Sequence, residues 1–246
     1  METGEYQKMF EVEDTLWWHR GLRLFLADAI RTEALSPDAL ALDAGCGSGA
    51  NMVLLEDSVA RVVGCDLSER ALLFARSRGL KRLVAADINH LPFRAEAFAR
   101  ILCSDVFECQ EVDERLAIAE LARVTKRGGL ILIGVAAYEF LLSEHDRAVH
   151  SVRRYTKARV QTAFGTPALR IVRLRYLFGW LFLPVVVYRL ARRFRRPEAL
   201  PPRSDLYLPS RFLNTLLFWI VRWERSVSRW LPLPFGTTVL VKLRRV

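Results

Sequence analysis

An α/β fold is predicted for this 246-residue chain: a doubly wound, mainly parallel sheet with helices on both faces. Three observations carry the prediction. Short apolar runs recur through residues 39–136, four of them ending in Asp. Segments of helical period separate these runs. A glycine-rich turn follows the first run directly.

The region 16–34 reads as a helix, because Leu16, Trp17, Leu22, Leu24, Phe25, Ala29 and Ile30 form a broad apolar face. "ALALD" (39–43) reads as a buried strand, and "NMVLLED" opens a helix. "RVVGCD" (61–66) is a second strand. "SERALLFARSRG" follows as a helix, with Ser68 placed to cap its start and Gly79 just past its end. "RLVAAD" (82–87) and "RILCSD" (100–105) are the third and fourth strands. "DERLAIAELARVT" is a helix and "GGLILIGVA" (128–136) a fifth strand. This alternation implies parallel strands covered on both faces.

Hydrophobic residues make up 52% of the chain and charged residues 26%, so it can bury a core. The net charge of +10 is uneven. Residues 171–246 hold 15 Arg and Lys against three acids, a net of +12. The remainder, 1–170, is near neutral. Such asymmetry points to an anionic partner, either membrane headgroups or nucleic acid. Cys46, Cys65, Cys103 and Cys109 form no CxxC pair. They read as thiols of a reducing compartment, not as a disulfide frame or a metal site. The acidic, polar start "METGEYQKMFEVED" is no signal peptide, so a cytoplasmic location is expected.

The expected organisation is an N-terminal helical lid (1–34), a central domain (35–165) and a basic, apolar, helical extension (166–246) ending in a candidate last strand. Within the extension, Tyr176 to Tyr188 is a 13-residue uncharged run with arginines on both sides. A bilayer crossing needs about 20 apolar residues. The run instead suits a segment lying in a membrane interface, with Trp180 and Tyr188 at headgroup level. "SRFLNTLLFWIVRWERSVSRW" (210–230) reads as an amphipathic helix carrying Phe218, Trp219, Trp223 and Trp230. "TTVLVKLR" (237–244) alternates as a strand that could join the sheet edge.

The strongest chemical signal is Asp43-Ala44-Gly45-Cys46-Gly47-Ser48-Gly49, set between a strand and a helix. Glycines let the backbone approach a ligand closely, and the helix start presents free N–H groups. The spacing is neither that of a dinucleotide fingerprint nor that of a P-loop. "LDAGCGSG" resembles motif I of class I S-adenosylmethionine (SAM)-dependent methyltransferases of the methyltransferase type 11 kind. Asp66 resembles the acid that grips the ribose hydroxyls, and Asp87 with Ile88 resembles the pair that frames the adenine. "SDVFE" (104–108) resembles the loop beneath the methionine part, and "RVTKRGGLILIGV" the family's "RVLKPGG" turn. The resemblance implies a Rossmann-like sheet, SAM as cofactor and S-adenosylhomocysteine (SAH) as product. It implies cofactor contacts from Asp43, Gly45, Cys46, Gly47, Gly49, Asp66, Leu67, Asp87, Ile88 and Asp105. The sequence departs from the family at Ala99-Arg100, where an Asp is usual, at Cys109, where His is common, and at Arg127, where Pro is usual.

A bacterial subset of this family resembles the chain over nearly its whole length. Its marks are the Trp17-Trp18 helix, "SEHD" (143–146) with His150 and "RRYT" (153–156), then Ser204-Asp205-Leu206, Asn214, Glu224 and "LPFG" (233–236). The resemblance implies a lid in which Trp17 or Trp18 stacks on the cofactor and His19 or Arg23 meets its carboxylate; the alternative is an amphipathic helix packed on the sheet edge. The segment "EHDRAVHSVRRYT" follows the fifth strand, at the crevice where open α/β sheets bind ligands. His145, with an ordinary pKa near 6.5, can act as general base. His150 and Tyr155 are further catalytic candidates. Arg153 and Arg154, with Glu108 and Asp146, are candidates for holding the acceptor, since guanidinium forks match phosphate and carboxylate. The bland alternative is an ion-paired helix, with Asp146 bonded to His150 and Arg154. His90 reads as structural or solvent-facing.

The leading reading is a SAM-dependent methyltransferase acting on an amphiphilic, lipid-linked or other small-molecule acceptor, peripheral on the inner membrane face. A second is an RNA methyltransferase. Against nucleic acid stand the long aliphatic runs between the basic residues, and "SDVF" where amino-group nucleic-acid methyltransferases carry "NPPY". A third is a non-catalytic SAM-binding subunit whose aromatic C-terminal surface joins a partner or a second copy.

Overall fold

One sheet orders its seven strands as β3 (Leu83–Ala85), β2 (Arg61–Asp66), β1 (Leu40–Ala44), β4 (Phe98–Ser104), β5 (Thr125–Ala136), β7 (Thr238–Arg245) and β6 (Leu169–Leu177). This is a computed structural model, and it describes residues 3–31, 35–36, 38–59, 61–195 and 207–246. Ser204, Asp205 and Leu206 therefore lie outside the described residues. The pairs among β1 to β5 are parallel, as the strand–helix alternation predicts. β7 runs antiparallel to both β5 and β6.

The last strand does not take the sheet edge. β7 enters between β5 and β6, and its run Thr238 to Leu243 is buried. β6, which sequence pattern missed, becomes the edge. Its sequence, LRIVRLRYL, alternates poorly because arginines interrupt the apolar side. Residues 166–246 thus supply two of the seven strands. The apolar run 176–188 is correspondingly divided. Tyr176 and Leu177 belong to β6, Phe178 is buried, and apolar side chains turn outward only from Trp180 into α8 (Phe182–Arg195). Pro184 falls in the first turn of α8, where its missing N–H costs nothing. Among the described residues no helix is long and apolar enough to cross a membrane.

Period-two alternation gives the sheet two apolar faces. Ile101, Cys103, Ile131 and Ile133 pack beneath α5 (Glu114–Val124) and α7 (Lys157–Phe164). Leu102 and Leu132 face the other way, toward α2 (Trp17–Ile30), α3 (Ala50–Glu56) and α9 (Arg211–Val227). Caps fix the helix starts. Ser68 accepts the Ala71 amide for α4 (Glu69–Ser77), Asp113 serves α5 and Ser210 serves α9. The acidic, polar start of the segment expected as a helical lid (1–34) forms α1 (Thr3–Val12).

The described C-terminal signature residues are fasteners. Asn214 accepts the Trp17 amide and donates to the Thr15 carbonyl, both at 2.9 Å. Glu224, fully buried, accepts the amides of Phe178 (2.6 Å) and Trp180 (3.2 Å). Val221 sits against Gly21, and a Cβ on Gly21 would come 2.7 Å from its Cγ1. Arg225 pairs with Asp28. α9 therefore holds α2 along its length.

Candidate functional site

The carboxyl ends of β1, β2 and β4 leave a concave cradle. Its floor is the glycine turn. Gly45, Gly47 and Gly49 all hold positive φ, and a Cβ on Gly45 would lie 2.2 Å from Val106 Cγ2. The Gly47 amide donates to one Asp66 carboxylate oxygen at 2.8 Å, and the Ser68 amide donates to the other at 2.9 Å. Each oxygen keeps a second lone pair for a ligand hydroxyl. Leu67 is exposed beside them, while Ile88 is buried. Asp87, half exposed, accepts the Asn89 amide at 2.9 Å.

Acids crowd this end of the sheet, and the Arg154 guanidinium acts on two of them, Asp105 and Glu108. Asp43 is buried, and its Oδ2 has no partner. Burial, then the Asp66 charge, push its pKa up to about 8. Glu108 accepts the Ala136 amide with Oε1, while its buried Oε2 has no partner. Burial, then Asp105, push Glu108 up to about 8. Asp105 keeps contact with solvent, and desolvation by the surrounding protein pushes its pKa up to about 6. It is held at φ 58, an uncommon conformation for a non-glycine residue. Two orphaned buried carboxylate oxygens suit a ligand bearing cationic and N–H groups, and the Asp66 pair suits a diol. The cradle therefore fits SAM in the chemistry of its donors and acceptors.

α1 lies over the cradle; a lid over 1–34 was expected, but on Trp17, Trp18, His19 and Arg23 and not on the residues of α1. The Tyr6 hydroxyl meets the Ser68 side chain, and burial, then Asp66, raise its pKa. Met9 lies over the glycine turn: a Cβ on Gly47 would come 3.3 Å from Met9 Cε. Glu13 bonds Ser48 of the turn and pairs with Arg78 at 2.6 Å; Asp14 pairs with Arg78 at 2.7 Å. The detectable signal is the spacing of Tyr6, Met9, Phe10 and Glu13 on one helical face.

The other candidate residues take the following places in the structure. Arg23 is committed to the α1–α2 turn, donating to the Glu13 carbonyl at 2.6 Å. Trp18 stacks on Phe178 at 6.0 Å and meets His19 edge-on at 4.9 Å. His19 Nε2 is shielded and without a partner, and burial, then Arg23 and His145, bring its pKa down to about 3. Tyr155 is buried in the core, and its hydroxyl contacts the Phe107 carbonyl at 3.0 Å and Glu114 at 2.6 Å. Asp146, buried, caps α6 (Glu144–Ala148) with Ser143. It also binds Arg154 at 2.7 Å and Arg189 at 3.2 Å. Asp146 and Arg154 thus meet each other inside the protein, as one half of the ion-paired alternative has it, whereas His150 does not bond Asp146. Arg153 donates to the Val112 carbonyl at 2.9 Å. His150 lies half exposed, 3.5 Å from Glu111. His145 is half-buried on α6, and its charge reaches His19 on α2.

A family model described as a methyltransferase domain matches residues 42–133. The tRNA (carboxymethyluridine(34)-5-O)-methyltransferase of Arabidopsis thaliana is 36% identical over 109 residues, 44% of this chain and 26% of that protein. The methyltransferase YodH of Bacillus subtilis (strain 168) is 31% identical over 139 residues, 54% of this chain and 58% of that protein. The chain spans about a quarter of the length of the tRNA methyltransferase relatives it matches. A chain from the complex of the Haloferax volcanii Trm112 methyltransferase activator with a methyltransferase shares the fold. Its TM-score is 0.63 at 20% identity, covering 99% of this chain and 94% of that one. Geranyl diphosphate C-methyltransferase from Streptomyces coelicolor A3(2) does so at TM-score 0.59 and 19% identity, covering 93% and 78%. The tRNA methyltransferases among the relatives count against the expectation that disfavoured nucleic acid as a partner.

Proposed function

We propose, from the premise that this chain carries a class I SAM-dependent methyltransferase domain, that it transfers a methyl group from SAM to an amphiphilic or lipid-linked acceptor. The observation that carries the cofactor part is the Asp66–glycine-turn cradle with its unpartnered buried carboxylate oxygens. SAM supplies an already activated methyl group, so the protein's work is alignment and, for an O or N acceptor, removal of a proton. Asp66 would hold the ribose hydroxyls and Asp87 with Ile88 the adenine. Asp43, Asp105 and Glu108 would place negative charge near the sulfonium and amino groups. His145 is the proposed proton acceptor; what supports this is its half-buried position on α6, after the fifth strand, and its reach to His19 on α2. Tyr155 and Asp146 would act by holding the segment around it in place.

The amphiphilic acceptor rests on the outward apolar and basic surface of the C-terminal helices, which also supports a peripheral position on a membrane. Calorimetric titration with SAH tests the cofactor part: the native chain binds, and Asp66→Ala does not. The acceptor is sought by mass spectrometry of lipid and polar extracts with and without the gene, looking for a one-methylene difference. His145→Gln with unchanged turnover would remove the base assignment.

A second reading, RNA as acceptor, is favoured by the tRNA methyltransferases among the relatives and by the net charge of +12 over residues 171–246. Transfer of labelled methyl onto total tRNA, with steep salt dependence, would establish it over the first.

A further inference from the structure

We propose that the outer face of α9 docks on an anionic lipid surface, and that this docking is linked to cofactor binding through α2. The inference rests on the cofactor reading above. α9 has two opposite apolar faces. Leu217, Val221, Glu224 and Ser228 turn inward, and Val221, Glu224 and Ser228 are buried. Phe212, Leu216, Trp219 and Trp223 recur at helical spacing on the other side, with Phe212 79% and Trp219 57% exposed. Trp230, just beyond the helix, is 89% exposed. The stripe continues into α8, where Leu183, Val187 and Leu190 are exposed, and Trp180 packs on Trp223 at 4.8 Å.

The chemistry around the stripe selects its occupant. Arg211, Arg222 and Arg229 are exposed along one side, and the Arg222 guanidinium lies 4.5 Å from the Trp219 ring centroid. Tryptophan between arginines and exposed leucines matches the headgroup boundary of a bilayer. The net charge of +12 over residues 171–246 opposes the approach of a second copy and favours anionic lipid.

The inner face supplies the linkage. Asn214 caps the start of α2, and Arg225 holds Asp28 near its end. α2 follows the turn whose Glu13 bonds Ser48 in the glycine loop. A surface that fixes α9 therefore restrains α2 and the lid turn over the cofactor. By reciprocity, lipid and cofactor each strengthen the binding of the other.

The test is co-sedimentation with vesicles of phosphatidylcholine alone or mixed with phosphatidylglycerol, combined with SAH titration with and without them. The native chain sediments only with the anionic vesicles, and its SAH affinity rises about fivefold on them. Phe212→Asp with Trp219→Asp abolishes sedimentation and leaves vesicle-free SAH affinity unchanged. Asn214→Ala, or Asp28→Asn should the first fold poorly, still sediments but loses the affinity gain. Absence of sedimentation, or sedimentation with unchanged SAH affinity, overturns the proposal. So does a dimer in light scattering that the Phe212/Trp219 pair dissolves, or tRNA that displaces the vesicles. Loss of SAH binding in vesicle-free buffer would strike the cofactor reading alone, because sedimentation is read independently.

Discussion

Asn214 on α9 accepts the backbone N–H of Trp17 at 2.9 Å across 197 residues of sequence. Leu16, at the N-cap position of α2, offers no side-chain acceptor. The C-terminal helix thus supplies the cap that the N-terminal helix lacks. Asn214→Ala should cost about 1–2 kcal/mol, as a lost cap does. A chemical-denaturation midpoint unchanged from the native chain would contradict this.

Tyr155→Phe should lower stability and spare catalysis. The hydroxyl lies in the core against Phe107 and Glu114. Its loss strands the Glu114 contact, with an expected cost of about 1–2 kcal/mol. Turnover per folded molecule, measured below the melting transition, should stay within a factor of two or so of the native value. A loss of a thousandfold would restore Tyr155 as a reacting group.

Asp146→Ala should be far more damaging than an exposed charge change. Burial opposes ionisation of Asp146, yet Arg154 and Arg189 hold its pKa below the usual carboxylate range. Removing it leaves Arg154, itself buried, without its carboxylate, at about 3–5 kcal/mol. Asp146→Ala combined with Arg154→Met should recover much of that loss. A double variant no better than the single one would show that the pair is not the cause.

Cofactor binding should depend on pH in a charge-specific way. Burial pushes the pKa of Asp43 up to about 8 and raises those of Glu108 and Asp105, which share their charge, above the usual carboxylate range. They become negative as pH rises, which favours the sulfonium of SAM over the neutral sulfur of SAH. Between pH 6 and pH 9 the affinity ratio of SAM to SAH should rise about tenfold. Parallel pH profiles for the two ligands would count against these acids facing the sulfonium. For stability the sign is opposite. The folded pKa of Asp43 lies above its unfolded value, so the folded state binds more protons. Stability then falls as pH rises from about 4 to about 8. Asp43→Asn should flatten that fall in thermal melts.

The sequence by itself determined the parallel half of the sheet and the cradle. Both are local: an apolar run, a glycine turn and a capped helix follow one another within about thirty residues, as a βα unit requires. Gly45, Gly47, Asp66 and Asp87 were legible because each ends or follows a strand, so order along the chain is order along the site. Tertiary structure decided the rest. The carboxylate of Asp146 and the hydroxyl of Tyr155 looked available for chemistry in the sequence, and only packing turned them inward onto Arg154 and Glu114. β6 was hidden by its arginines, because its edge position tolerates charge that an internal strand would not. Asn214 and Glu224 stood out as signature residues, but their partners, Trp17 and the Phe178–Trp180 corner, lie 44 to 197 residues away. No periodicity encodes such pairs. They exist because burying α9 against α2 leaves backbone amides that only those two side chains can satisfy.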